Sequence, residues 1–423
     1  MDSSLAPRVV SADADLVLLR VPLDPMARMS PTHSDYFVYR ARPQGSTLHL
    51  LPRPEHDRIS DDEIAVLSCG DGGEHAVAAL QIRPLSDDFT FTLQLYRSGP
   101  GGEPGSWTSQ PVSVEEPQRD RVCPIPDTAA RLMYHLMAKV ITIGGAKGTI
   151  GWVDLWRGIL LCDETPKVRD MPLPLPGKAN WKLYLNGCPY YSRDVTVNQS
   201  KDTIKYVEME ITPPTMVAVA AAASDPESYH EWLDGQKNKR RLQSYRLYPG
   251  RWKATTWNMP IPVMSWEDWQ HRCTVHSEDI ELPADNTRDC DELLHKLKMI
   301  SSANKEEKAT QATLSLGCLH MAHPTMSIAD DDDDDVVYLL SKGTIMGTMD
   351  MLAVAVDLRA GTLQGMPKLD TKRHLGFMRC YLASSISKHL DTTGICGNRQ
   401  AEDDAVLTSN KDIAACPDEN IIG

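Results

Sequence analysis

Short runs of β-branched and aromatic residues recur along the 423-residue chain, and glycine, proline, aspartate or serine bounds each of them. Such runs predict β-strands, because branched and aromatic side chains pack well on a pleated surface and the bounding residues favour turns. Helical periodicity is weak and predicts only short helices, at residues 127–136, 226–233 and 291–300. The predicted strands include residues 36–39, 89–96, 139–143, 159–162, 336–340 and 352–356.

A degenerate repeat favours one all-β architecture. In each copy a strand is followed by a polar turn and by a second strand that ends at proline, which has no N–H to donate to a ladder. This pattern is typical of the outer hairpin of a propeller blade. We therefore expect an all-β, β-propeller-like body of short antiparallel strands with a few short helices; a β-sandwich or two β-rich domains are the alternatives. The second strands close on residues 48–52, 171–176 and 363–367, with a looser copy at 280–283.

The expected division of the chain follows from its length and from where polar residues accumulate. At roughly 150 residues per domain the length predicts two or three domains, but a propeller adds blades to a single body. We expect an N-terminal segment at residues 1–35 and the body at residues 36–390. Residues 391–423 are rich in Asp, Asn, Thr and Gly and are expected to form a flexible tail.

The charge balance of the chain disfavours two classes of binding partner. The formal net charge is −14, and a negative body is repelled by phosphate backbones and by anionic lipid, so neither nucleic acid nor a membrane is the expected partner. The basic run KNKRR at residues 237–241 has the composition of a nuclear address, although a solvated loop is the favoured interpretation. The longest apolar stretch, residues 216–223, is far below the ~20 residues of a membrane span.

No secretory leader is expected, because the apolar run at residues 16–19 is short and follows an aspartate. A cytoplasmic or nuclear location follows, in which the ten cysteines stay thiols.

Three segments contain some of the residues that are typical of an ion-binding or phosphate-binding site. The acidic run at residues 330–335 lacks the glycine and distal glutamate of a calcium loop, and a hairpin tip explains it better. Cys318, His320 and His323 lack a fourth zinc ligand, and strand alternation would place His323 opposite the other two. Residues 143–149 do not follow the phosphate-loop order and are expected to form a turn. We therefore predict no catalytic residue, no cofactor and no metal.

The most distinctive segment reads GWVDLWRGILLCD, residues 151–163. Trp152, Asp154 and Trp156 occupy alternate positions, which predicts that they share one face of a strand. In the structural interpretation, the two tryptophans pack between blades of the expected propeller. This interpretation also predicts that Arg157 and Asp163 fix a turn through charge-assisted hydrogen bonds. The alternative places Asp154 and Arg157 at a ligand pocket.

This segment resembles a family of plant proteins that is expanded in grasses and is called domain of unknown function 1618. The family-defining segment is expected at about residues 151–285. The resemblance implies a propeller-type region and implies no activity, ligand or catalytic residue. It continues, in order, through residues 171–176, 266–269, 279–280, 323–327, 335–339, 356–359 and 385–390.

Two functions remain open. The first is a non-catalytic module that binds another protein through exposed loops. The second is a cryptic enzyme, a hydrolase or a sugar-acting propeller, with its site in the central channel. Converging carboxylates or histidines in one pocket would favour the enzyme, whereas an exposed apolar patch would favour the binder.

Overall fold

The computed structural model describes the ranges of the chain that are given at the end of this paragraph. The predicted helix at 291–300, most of that at 127–136, and the predicted tail at 391–423 lie outside the described residues. The described residues are 7–24, 33–42, 45–54, 59–69, 73–82, 90–99, 103–125, 134–144, 148–163, 167–219, 228–238, 244–248, 250–281, 316, 320–330, 335–345, 348–365 and 384–389.

The strands follow one another as four-stranded antiparallel meanders. The first meander consists of β1 (Arg8–Asp13), β2 (Leu16–Pro22), β3 (Ser34–Arg40) and β4 (Thr47–Leu51). The second consists of β5 (Ile64–Cys69), β6 (Glu74–Ile82), β7 (Thr90–Arg97) and β8 (Ser106–Glu115). The third consists of β9 (Lys139–Gly144), β10 (Thr149–Asp154), β11 (Gly158–Cys162) and β12 (Lys167–Pro172).

The fourth meander carries an insertion. Its strands are β13 (Arg193–Val197), β14 (Thr203–Thr212), β17 (Arg251–Pro260) and β18 (Gln270–His276). Between β14 and β17 the chain forms a two-stranded arm of β15 (Thr215–Val219) and β16 (Ser244–Tyr248) with helix α3 (Tyr229–Asn238). The last meander is β19 (Met321–Met326), β20 (Val336–Ile345), β21 (Thr348–Asp357) and β22 (Thr362–Gly365).

The remaining regular segments are short helices in the connections. Helix α1 (Arg119–Val122) joins the second meander to the third, and α2 (Trp181–Asn186) joins the third to the fourth. Short 3₁₀ turns span Lys178–Asn180, Pro189–Tyr191, Trp266–Asp268 and Ile386–His389.

The inner strands of the meanders lie side by side. Strand β1 contacts β5, β5 contacts β9, β9 contacts β13, and β13 contacts β19. The second and third meanders also join at their outer edges, where β8 pairs in parallel with β12. This order confirms the expected fold class, a mostly β chain of antiparallel sheets with few short helices.

Apolar layers fill the spaces between successive meanders, and strand alternation supplies both sides of each layer. In β14, Ile204 and Tyr206 pack toward the third meander, whereas Val207 and Met209 pack toward the fifth. Burial on both faces explains why these strands read as nearly continuous apolar runs rather than alternating ones. Burial of this apolar area, at about 25 cal/mol per Å², is the main term that holds the meanders together.

Three of the four predicted hairpins are confirmed. The outer hairpins β3–β4, β11–β12 and β21–β22 form at the expected turns. The fourth is wrong on its described part, because Glu281 does not return along β18 but forms a parallel bridge to Thr362. The helix predicted at 226–233 is present as α3, shifted toward its C-terminus, whereas residues 134–136 are not helical.

The N-terminal segment takes part in the first sheet. Leu16 pairs with Arg40, and Pro22 pairs with Ser34, so the boundary expected between residues 35 and 36 falls inside β3. Leu16 and Leu18 are fully buried against the second meander. No helix among the described residues has the length and apolar character needed to cross a membrane.

Candidate functional site

The distinctive segment forms a hairpin turn rather than one strand. Strand β10 ends at Asp154 and the chain turns through Leu155 to Arg157 into β11. Asp154 causes the turn, because its carboxylate accepts the Trp156 N–H at 2.9 Å and its carbonyl accepts the Arg157 N–H at 3.0 Å. The prediction that Trp152 and Trp156 share one strand face is therefore wrong.

The residue that follows this turn must be glycine. A Cβ on Gly158 would lie 2.6 Å from the carbonyl oxygen of Met171 on β12, closer than any side-chain carbon can approach a backbone atom. Strands β11 and β12 therefore lie close together where β11 begins.

Trp152 fills the layer between the second and third meanders. Its side chain is buried among residues such as Phe91 and Leu160, and its indole N–H donates to the Glu63 carbonyl at 2.7 Å. The polar end of the ring is therefore satisfied inside the core.

Trp156 lies in a different layer, beside the fourth meander. Its ring meets that of Tyr184 edge to face at 5.7 Å, and the guanidinium of Arg193 lies 4.8 Å from its centre. The indole N–H donates to the Gly187 carbonyl at 3.2 Å. Arg193 in turn donates to the carbonyls of Leu155 and Trp156, so the turn is tied to β13.

Arg157 and Asp163 do not share a turn, so that expectation is wrong. Arg157 forms an ion pair with Asp120 and donates to the Tyr134 carbonyl at 2.9 Å, whereas Asp163 follows the far end of β11. None of the five singled-out residues lines the cleft described below. Their role as structural anchors stays a prediction.

A buried ionic network lies under this turn and has no signature in the sequence. Arg119 binds Asp170 through its Nε at 2.7 Å, its Nη2 at 2.6 Å and its backbone N–H at 2.8 Å. Tyr134 donates to the same carboxylate at 2.8 Å. Arg119 Nη1 also lies 2.8 Å from His135 Nδ1, and burial together with the charges of Arg119 and Arg157 holds the pKa of His135 well below its ordinary value. The partners come from separate segments, so no local spacing could reveal them.

The two histidines of the zinc candidate both meet Tyr191. The rings of His320 and His323 lie 5.6 Å and 5.9 Å from that of Tyr191, and His320 Nε2 is hydrogen-bonded to its hydroxyl. A register shift after Ala322 and the positive φ of His323 interrupt the alternation that predicted opposite faces. Cys318 lies outside the described residues, and within the described ranges no three metal-ligating side chains converge.

The acidic run lies in the β19–β20 hairpin, as predicted, but Asp335 is buried rather than solvated. Burial is the main cause that raises its pKa, and its backbone carbonyl accepts the Leu358 N–H. Asp330 accepts the Ser200 N–H at 2.6 Å. Residues 331–334 are outside the described ranges.

An open cleft lies on the flank between the third and fourth meanders. It has a volume of about 590 Å³. Helix α1 provides one wall, the proline-rich segment after β12 a second, and the turn before β18 a third. Its lining consists of Gln118, Arg121, Val122, Leu173, Pro174, Leu175, Trp266 and Glu267. Glu267 is the one carboxylate in this lining, which contains no histidine.

Large apolar side chains are exposed in the segments that line this cleft or close to them along the chain. Leu175 is 60% exposed, and Trp181, whose indole N–H donates to the Pro176 carbonyl at 2.9 Å, is 56% exposed. Met264, two residues before Trp266 in the lining, is 78% exposed. Exposed apolar side chains that lie together are characteristic of interaction surfaces, whereas isolated exposed residues are ordinary. In the sequence, the proline-rich wall of the cleft is marked by the prolines at alternate positions of MPLPLP, residues 171–176.

Comparison with solved structures gives weak likeness. Two mutants of the Synechocystis apocarotenoid oxygenase align at 9% and 12% identity with TM-scores of 0.29 and 0.26, over 84% and 79% of this chain and 58% of theirs. The chain thus spans 58% of the length of the oxygenase. A putative exo-beta-1,3-galactanase from Bifidobacterium bifidum s17 aligns at 8% identity and a TM-score of 0.29, over 87% of this chain and 92% of its own. Scores of this size transfer neither fold nor activity.

The search of curated proteins found no significant match to the chain. The model of one protein family does match part of it. That part contains the turn at Asp154, both of its tryptophans and the Leu175 and Trp266 walls of the cleft. Residues 152–338 match the family described as "Protein of unknown function (DUF1618)", which confirms for this region the family resemblance carried by the GWVDLWRGILLCD segment.

Proposed function

We propose that the chain is a non-catalytic protein-interaction module and that its partner docks on the cleft between α1, residues 173–175 and the turn at Trp266. The observation that carries the proposal is that Leu175, which lines the cleft, is exposed, and that two further large apolar side chains are exposed close along the chain to the lining segments. Leu175, Trp181 and Met264 are each more than half exposed. Aromatic, Met and Arg side chains are enriched in interfaces, and all three types occur here.

The rigidity of the cleft supports this role. Two of its walls are tied to the core by hydrogen bonds, Leu173 N–H to the Arg157 carbonyl at 3.0 Å and Trp269 Nε1 to the Pro172 carbonyl at 3.0 Å. The third wall begins at Arg119, whose side chain is held in the buried network with Asp170. A preformed surface loses little conformational entropy when a partner binds.

The alternative of an enzyme gains no support from the two buried aspartates on the inner strands. Asp13 and Asp194, which lie on the inner strands β1 and β13, are each held in an ion pair, with Lys201 and Lys139 respectively, at 2.6 Å. Both carboxylates are thereby used to join meanders.

Photocrosslinking tests the proposal. A photoreactive amino acid replaces Leu175 in the full-length protein, and in a control it replaces Leu50, which is 58% exposed on β4. In extract of the source tissue we expect a discrete protein adduct from position 175 and none from position 50. Excess unmodified protein should compete the adduct away, and Leu175→Ser protein should not. The absence of a specific adduct, or equal adducts from both positions, would contradict a docking surface at this cleft.

A further inference from the structure

Three cationic side chains in or near the segments that line the cleft have no ion-pair partner among the described residues, although the whole chain carries a net charge of −14. Arg121 lines the cleft, and Lys178 and Lys182 follow Leu175 closely along the chain. All three are exposed, and none of them forms an ion pair with any residue in the described ranges. Within the described part of the chain these segments thus carry positive charge that is not neutralised by an ion pair, in a protein whose net charge is negative.

The acidic groups near these cations are already occupied inside the protein. Asp120 is paired with Arg157. Glu208 is paired with Arg193, and it accepts a hydrogen bond from Asn180 at 2.7 Å. Glu210 is paired with Lys253 and accepts the Ala179 N–H at 3.0 Å.

Three further carboxylates lie in or near the segments that line the cleft. Asp268 caps the turn at Ser265, whose N–H it accepts at 2.9 Å. Glu267 is the carboxylate of the cleft lining, and its side chain forms no ion pair with any described residue, while Glu116 outside the lining lies 3.4 Å from the Gln118 amide. The local field therefore favours a ligand with negative charge.

The proline-rich wall offers backbone groups to a ligand. Residues 173–177 form no helix or strand, and Gly177 has φ −59° and ψ 152°, the polyproline II region. Neither the N–H nor the carbonyl of Leu175 takes part in a hydrogen bond with any described residue. Exposed, unpaired backbone groups of this kind are the ones that an extended peptide pairs with when it docks.

Trp266 provides a matching side-chain group. It lines the cleft and packs against the layer between the third and fourth meanders, so its ring is held in place. Its indole N–H donates to no residue in the described part of the chain. An indole that offers both an apolar face and a hydrogen-bond donor suits the apolar side chains and carbonyls of an extended peptide.

We propose that the cleft binds an extended, acidic peptide segment of a partner protein, with leucine or proline side chains against Trp266 and Leu175 and carboxylates on Arg121, Lys178 and Lys182. This inference rests on the proposed function and specifies its ligand. Complementary charge would speed association and select against basic partners, while the apolar contacts would provide most of the affinity.

The test measures binding of synthetic fluorescent peptides to the full-length protein by fluorescence polarisation. Three pools share one length: glutamate and aspartate interspersed with leucine and proline, the same pool with lysine in place of the acids, and the acidic pool with serine in place of leucine and proline. We expect the first pool to bind at least roughly tenfold more tightly than either of the others. Its affinity should fall as salt is raised, because the contributing charges are exposed. A single-stranded oligonucleotide serves as a further polyanion, and tighter binding of it than of the first pool would overturn the proposal.

Two variants and two matched controls assign the binding to the cleft. Arg121→Glu and Leu175→Ser should each weaken binding of the first pool by roughly tenfold. Arg251→Glu and Leu50→Ser make the same changes at exposed positions elsewhere and should leave it unchanged. Equal binding of the three pools, or equal effects of variants and controls, would overturn the acidic-peptide assignment. If the peptide assay fails but photocrosslinking still gives a specific adduct at position 175, the cleft remains a docking surface for a different ligand. If both the peptide assay and the photocrosslinking fail, the proposed function is contradicted as well.

Discussion

Lys201 Nζ lies 2.6 Å from Asp13 Oδ1, across 188 residues of sequence, and this contact joins the first meander to the fourth. The Asp13 carboxylate also accepts the Thr142 hydroxyl from the third meander at 3.0 Å and the Ser68 N–H from the second at 2.8 Å. One buried side chain on β1 therefore holds four meanders where their inner strands meet.

Removal of the Asp13 carboxylate should destabilise the whole protein. Asp13→Ala leaves Lys201, Thr142 and the Ser68 N–H without their acceptor, and we expect a loss of about 2–4 kcal/mol in the free energy of unfolding. Urea unfolding followed by tryptophan fluorescence measures this loss. Arg53→Ala is the control, because it breaks a pair with Asp35 in which Arg53 is 57% exposed, and it should cost under about 1 kcal/mol. Equal costs for the two variants would show that Asp13 does not join the meanders.

His135 should make the protein less stable in mild acid. Burial, and then the charges of Arg119 and Arg157, lower the pKa of His135 in the folded state, so only the unfolded chain takes up this proton as the pH falls below about 6.5. The free energy of unfolding should therefore decrease by up to about 1.4 kcal/mol per pH unit below that value on account of this residue.

Comparison of variants isolates this contribution. His135→Gln keeps an acceptor for Arg119 and removes the titration, so its stability should fall less steeply between pH 6.5 and pH 5 than that of the parent. His271→Gln, on the exposed side of β18, should keep the parent slope. Identical slopes for the parent and His135→Gln would show that the buried imidazole does not contribute.

The sequence revealed the strands and three outer hairpins because their signals are local: β-branched runs, polar turns and a terminal proline. It did not reveal the turn at Asp154, since Leu155 and Trp156 are not turn-forming residues and the turn depends on the Asp154 carboxylate. Nor did it reveal the Arg119–Asp170 pair, which joins residues 51 positions apart. The rim of the cleft was seen only as a strand-ending proline pattern, because exposure depends on which segments pack around it.

All ten cysteines should be free thiols. Cys69, Cys123, Cys162, Cys188 and Cys273 form no disulfide, and the other five lie outside the described residues. Burial raises the pKa of Cys162 to about 12, so this thiol should react slowly in the native protein. Thiol titration under denaturing, non-reducing conditions should find ten reactive groups, and a result of eight or fewer would contradict the prediction.

Trp152 and Trp156 should both be structural anchors, although they lie in different layers. Each is almost completely buried and donates its indole N–H to a backbone carbonyl, that of Glu63 for Trp152 and that of Gly187 for Trp156. Truncation of either would leave a cavity and an unpaired carbonyl, and a buried tryptophan typically contributes about 3–5 kcal/mol. That is a large share of the ~5–15 kcal/mol that stabilises a domain.

The melting temperatures of Trp152→Ala and Trp156→Ala should therefore be several degrees lower than that of the parent, or the proteins should fail to accumulate. Trp181→Ala is the matched control, because this ring is 56% exposed and its removal should leave the melting temperature close to that of the parent. The same control should weaken partner binding if the cleft is the docking surface. Variants of Trp152 or Trp156 that melted like the parent but lost the partner would place these two residues on the binding surface instead, since only a surface residue can be removed without loss of packing.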